Sequence, residues 1–317
     1  MQWLDVSRVL CMLLVVYMHF PPEGLKIFLW ELAIASAVPF FLFWAGYFCA
    51  GKASWSNVFK RSYLFVCVFL VWESLAWLLN LNDSPQKAFH GLGQILVSQT
   101  GGGFALPYIA PLWFIRDLII LTLLTPIFLK LRGIITPVIF LFLSYVPLSI
   151  AHEINTVISI GTCLIYIIGV YSHRYKVLNF LDKQKTHSLS LFFIIVGLLS
   201  SLIALKNNFF DGDSWSLNSW HPTLFGYVCG TALISTAGIL AIRTLPSLGE
   251  KIARIAPGML LVLIIHIPLG NIIDIRNLLP GKLSVLQAPI LMFLSLCIFY
   301  LLNRFLKKAM PYIAATK

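Results

Sequence analysis

The sequence predicts an all-α, polytopic membrane protein: a bundle of about ten transmembrane helices with both termini in the cytoplasm. Three observations predict it. The chain is 59% hydrophobic and 11% charged over its 317 residues, with a mean hydropathy of +0.88, a combination foreign to water-soluble domains. Hydrophobic runs bounded by charge or by Pro and Gly give ten spans. Seventeen of the 23 Lys and Arg residues then fall beside the spans on the N-terminal side, five on the opposite side, and Arg116 inside a span. That is the bias the positive-inside rule requires of cytoplasmic ends.

The spans lie near 4–20, 27–50, 59–81, 110–130, 134–150, 154–172, 187–205, 221–242, 252–275 and 285–306. In the first, Asp5 and Arg8 precede an uncharged run that ends in His19 and Phe20, and Pro21-Pro22 stops the helix. This segment is expected to be retained: Asp5 precedes Arg8, and Phe20-Pro-Pro-Glu-Gly lacks a small-x-small cleavage site. The third span opens on Phe59-Lys60-Arg61, the fourth carries Arg116-Asp117 and Pro126, and the ninth carries His266 and Pro268. One transmembrane domain over 1–317, with no appended soluble domain, is the expected organisation. Two connections, 82–109 and 206–220, exceed what a turn needs. The second mixes Asp211, Asp213, Asn208 and Asn218 with Trp215 and Trp220. That composition suits stacking on a sugar, and equally a solvated loop with interfacial tryptophans.

A net charge of +11 raises nucleic acid as a partner, but the basic residues are spread among short loops and form no stripe. No nucleic-acid partner is expected. Cys11, Cys49, Cys67, Cys163, Cys229 and Cys297 sit in or beside hydrophobic segments without metal-ligand spacing. They read as buried thiols, and no metal is expected.

Helical rise converts sequence offsets into depths. His19 is eleven residues beyond Arg8, roughly 16 Å, or about half the hydrocarbon core. Glu73 is twelve beyond Arg61 and His266 twelve beyond Arg254, while Glu31, Arg116 and Asp117 follow the opposite side by five or six. All six positions reach the outer half of the membrane, and an ionisable group there is a functional-site hypothesis by default. Each also has a plainer reading. His266 could bond a carbonyl freed by Pro268, Arg116 and Asp117 could serve as a folding staple, Glu31 could lie at the interface, and Glu73 could belong to a structural ion pair.

An imidazole beside a carboxylate suits proton transfer, and a nearby guanidinium suits a developing oxyanion. No nucleophile elbow, phosphate-binding loop, dinucleotide fingerprint or His-Glu-x-x-His motif occurs. Residues alone therefore stop at an intramembrane acid–base site, a proton-coupled secondary transporter or polysaccharide exporter, or a non-catalytic assembly subunit.

Leu4-Asp5-Val-Ser-Arg8 with His19, Val38-Pro39-Phe-Phe-Leu-Phe-Trp-Ala-Gly46-Tyr47, Phe59-Lys60-Arg61, Pro111-Leu-Trp113-Phe-Ile-Arg116-Asp117 with Thr125-Pro126, and His266 resemble, in order, the segments of the acyltransferase-3 family. Ala45 replaces the usual serine, Leu118 stands where many members carry glutamate, and Leu64-Phe65 stand where many carry a second arginine. The resemblance implies a membrane O-acyltransferase that moves an acyl group, commonly acetyl, from cytosolic acyl-CoA to a hydroxyl of an extracytoplasmic glycan or lipid-linked sugar. Joined to the depths above, it makes His19 the general base or transient acyl carrier, with Glu73 or Asp117 to orient it and Arg116 to support the carbonyl oxygen, and Arg8, Lys60 and Arg61 ligands of the CoA phosphates. His266, Trp113 and Trp215 fall to the acceptor, and the expected location is a bacterial cytoplasmic membrane. The sequence leaves oligomeric state open.

Overall fold

The structure is a computed structural model that describes residues 2–79, 111–130, 160–176 and 224–315. Spans five and seven, both long connections with Trp215, and the Glu31 side chain lie outside the described residues. Every element among the described residues is helical. These are α1 (Gln2–His19), α2 (Lys26–Leu32), α3 (Val38–Ala50), α4 (Trp55–Leu79), α5 (Leu112–Lys130), α6 (Ile160–Arg174), α7 (Leu224–Thr244), α8 (Pro246–Ala253), α9 (Met259–Ile272), α10 (Ile275–Leu278), α11 (Gln287–Phe305) and α12 (Met310–Ala314). Among the described residues three stretches are long and apolar enough to cross a membrane: Leu112–Lys130, Pro246–Ile272 and Gly281–Phe305.

Prolines explain where predicted spans depart from straight helices. The second span is helical from Lys26 to Ala50, but Ala33–Ala37 form a π turn. Pro39 has no N–H for the carbonyl of Ala35 and its ring crowds that oxygen, so the preceding turn widens. Val38 N–H bonds back to Ala33 O, the five-residue step of a π turn. The ninth span is broken at Ala256-Pro257-Gly258, a 3-10 turn between α8 and α9. Pro126 lies inside α5 without ending it. Nearby, Thr125 Oγ1 bonds Leu121 O at 3.0 Å and meets the Tyr166 hydroxyl at 2.8 Å. Hydroxyls beside a proline keep backbone distortion hydrogen-bonded where water is absent.

The chain divides into two compact units. In the first, which holds residues 1–41 and 226–317, α1 is the hub. It packs against α2, the π turn, α8, α9 and α11. Trp3, Val6, Val9, Cys11, Met12, Val15 and Val16 are all buried, so the helix is enclosed on several faces. Ser7 Oγ donates to Ile234 O at 3.0 Å, and a Cβ on Gly238 would collide with Ser7 Oγ and the carbonyl of Trp3. Small residues at such crossings let backbones approach where apolar lipid supplies no squeezing force.

The second unit contains the remainder of α3 with α4, α5 and α6. Helix α5 packs against α4 and α6. Tyr171 on α6 donates to Phe128 O at 2.7 Å, a second polar tie between α5 and α6. Helices α3 and α6 touch backbone to backbone: a Cβ on Gly46 would strike Tyr166 O, and one on Gly169 would strike Phe43 O. Along α4, Trp55, Phe59, Tyr63, Leu70 and Leu78 leave large apolar side chains exposed.

Candidate functional site

The site is built from the C-terminal end of α1 and the middle of α9, both in the first unit. Helix α1 runs unbroken from Gln2 to His19, so the rise from Arg8 to His19 stays at roughly 16 Å. The His19 side chain emerges half-buried in the last turn. His266 stands in α9, two residues before Pro268, and is fully buried. The two imidazoles lie 5.1 Å apart between ring centroids and are tilted by 45°. Phe20 meets His266 edge-on at 6.5 Å, in space that Gly270 leaves open.

His266 does not take the carbonyl that Pro268 frees. Pro268 frees the oxygen of Ile264, one turn before it, whereas His266 Nδ1 lies 2.9 Å from Val262 O on its own helix. A carbonyl only accepts, so Nδ1 is the donor. His266 Nε2 is buried and has no hydrogen-bond partner among the described residues.

The chain that follows α9 is laced over the end of α1. Arg276 Nη2 donates to the His19 carbonyl oxygen at 3.1 Å, and its guanidinium stacks 5.4 Å from the Phe20 ring centre. Tyr17 donates its hydroxyl to Val285 O at 3.0 Å. Glu23 N–H donates to Ser284 Oγ at 3.0 Å and Glu23 Oε1 accepts from Gly281 N–H at 3.1 Å. Arg276 is the member of this group that sequence reasoning missed. In the sequence Arg276 is a cation between two apolar spans, and the left-handed backbone at Asp274 hides where it lands. A signal is present in the matched offsets of His19 and His266, which put both imidazoles at one level.

At the other end of α1, Arg8 Nη1 bonds Asp5 Oδ1 at 2.9 Å, and both side chains are roughly a third exposed, at 39% and 34%. An incoming anion would therefore compete with Asp5 for an accessible guanidinium.

The second unit carries the other expected residues. Arg116 and Asp117 pair with each other: Nε and Nη2 both donate to Asp117 Oδ1, at 3.2 and 3.1 Å. Both are buried, at 4% and 0% exposure, and Asp117 Oδ2 has no hydrogen-bond partner among the described residues. Glu73 is buried on α4. Trp113 is half-buried and meets Phe114 edge-on at 5.9 Å. At the start of α4, Lys60 is exposed and Arg61 lies 5.8 Å from the Phe65 ring centre. Cys11, Cys49, Cys67, Cys163 and Cys297 are free thiols. Among the described residues no three His, Cys, Asp or Glu side chains converge as metal ligands.

The geometry thus offers a base, a second imidazole and a cation at one helix end, and a fixed guanidinium–carboxylate pair in the other unit. Such groups can take a proton from a hydroxyl and stabilise a developing negative charge. A family described as an acyltransferase domain matches residues 1–304. No curated protein and no solved structure matches the chain.

Proposed function

The chain belongs to the acyltransferase-3 family, and from that membership we propose that it moves an acyl group, most simply acetyl, from acyl-CoA to a hydroxyl of a surface glycan or lipid-linked sugar. The family match over residues 1–304 carries the reading. The placement of His19 supports it, on a buried helix eleven residues from Arg8 with a second imidazole 5.1 Å away. In this reading about ten helices cross a bacterial cytoplasmic membrane with both ends inside the cell.

Acyl-CoA is the donor substrate. Its phosphates fall to Arg8, Lys60 and Arg61, whose charge-assisted hydrogen bonds are about twice as strong as neutral ones. The pantetheine arm lies beside α1 and brings the thioester to the level of His19. His19 takes the proton of the acceptor hydroxyl, or first carries the acyl group itself. The acyl–sulfur bond breaks, the acyl–oxygen bond forms, and the hydroxyl proton ends on the CoA thiol. Arg116, held by Asp117, is assigned to the thioester oxygen, and Glu73 completes the acid–base set. His266, Trp113 and Trp215 are assigned to the acceptor side of the reaction.

Purified protein incubated with radiolabelled acetyl-CoA and candidate glycans tests the reading. Label appearing on glycan, with one CoA released per acyl group, is the expected result. Solute movement across a vesicle wall without thioester consumption would replace the enzyme with a carrier. No turnover with any acceptor would leave an assembly subunit.

A further inference from the structure

His266 has one ring nitrogen accounted for and one that is not. Its Nδ1–H is committed to Val262 O at 2.9 Å, so the neutral ring carries its lone pair on Nε2. That nitrogen is sealed inside the first unit, in a side chain with 0% exposure, and no described residue bonds it. A buried acceptor left unpaired costs about 1–3 kcal/mol. Bonding to Val262 alone would need only a donor, and an amide would supply one. The lone pair is the property that a histidine adds, and the ring packed against it is His19, at 5.1 Å and 45°. Phe20, itself 2% exposed, crowds the same imidazole from its edge.

We propose that His266 is the positioning residue of His19: during acyl transfer its Nε2 accepts a hydrogen bond from the His19 ring N–H, which leaves the lone pair of His19 on the nitrogen that meets the acceptor hydroxyl. The inference rests on the acyl-transfer reading and adds the group that fixes the tautomer. A neutral imidazole here does what a carboxylate does in other base pairs, without burying a second charge in lipid. The proton balance is that of the reaction. The hydroxyl proton joins His19, the imidazolium keeps its N–H on His266 Nε2, and the new proton leaves on the CoA sulfur.

Two amides separate this role from a structural one. His266→Asn keeps a donor where Nδ1 meets Val262 but puts nothing at the Nε2 position. His266→Gln puts an amide oxygen there and forgoes the Nδ1 donor. The readouts are kcat, the KM for acetyl-CoA, and the rate at which diethyl pyrocarbonate modifies His19 at pH 8, followed by mass spectrometry on the purified full chain. Loss of a group that orients a general base should lower kcat about 100-fold in His266→Asn, with KM within about twofold, and His266→Gln should recover about tenfold of that. His19 modification should slow several-fold in the Asn variant and less in the Gln variant. Asn activity equal to or above that of Gln, or His19 reactivity unchanged in both, would overturn the proposal. A wild-type protein that consumes no acyl-CoA would sink acyl transfer instead, and the modification rates would still decide whether His266 acts on His19.

Discussion

Arg276 donates to the carbonyl oxygen of His19 at 3.1 Å, so a guanidinium closes the helix end from which the proposed base projects. A cation in that position stabilises the unpaired carbonyls of the last turn by about 0.3–1 kcal/mol. Its stack on Phe20 fixes the plane, and one bond to His19 leaves most of its five donors for other acceptors. Replacement by Gln keeps some hydrogen bonding and removes the charge. We expect Arg276→Gln to fold and to lower kcat/KM for the acceptor about tenfold while KM for acetyl-CoA stays unchanged, measured by varying each substrate in turn.

For His19→Ala the expected outcome is loss of transfer by about 10²–10⁴-fold, the range for removal of a general base. The half-buried side chain sits in the last turn of α1, so the helix itself survives its removal, and expression and monodispersity in detergent should match wild type. Near-normal glycan acylation by a well-behaved variant would remove His19 from the chemistry.

Arg8→Ala should raise the KM for acyl-CoA with little change in kcat. A charge-assisted hydrogen bond is worth about 1.5–3 kcal/mol, or about 10–100-fold in affinity. Asp5 already occupies one face of the guanidinium, so Asp5→Asn should move the KM the other way. Donor saturation curves for both variants decide, and unchanged curves for Arg8→Ala would place the phosphates elsewhere.

Gly169→Ala should destabilise the α3–α6 crossing by about 1–3 kcal/mol, because the added carbon meets the backbone oxygen of Phe43, which cannot swing aside. Thermal unfolding in detergent should show a lower Tm, with the corresponding loss in Gly46→Ala. By contrast Tyr166→Phe removes the hydroxyl that meets Thr125 at 2.8 Å and leaves the ring in place, and should cost about 1 kcal/mol.

Sequence reading followed hydrophobicity well and backbone detail poorly. Helices α1, α4 and α5 run close to where charge and hydropathy end them, and Arg8 to His19 is one unbroken helix as the spacing requires. The break at Pro257 and the continuation through Pro126 were not separable beforehand, because both prolines sit in apolar runs and only their neighbours differ: Gly258 follows one, hydroxyl-bearing Thr122 and Thr125 precede the other. For the site, shared depth pointed to His19 and His266 together. It did not find that Arg116 and Asp117 pair with each other from adjacent positions, since consecutive residues on a helix normally diverge and only the long arginine arm folds back. Arg276 needed a chain reversal that no offset encodes.

The π turn at Ala33–Ala37 has an effect larger than its five residues. A π turn accommodates one residue more than the α-helical ladder, and each residue advances the helix by about 100°. Every side chain after Val38 is therefore rotated from where the preceding turns would have aimed it. The partition between the two compact units falls just beyond, between Phe41 and Leu42. A single apolar stretch can thereby join two packing neighbourhoods in succession, and removing one alanine from the turn would re-aim Phe43, Trp44 and Tyr47 all at once.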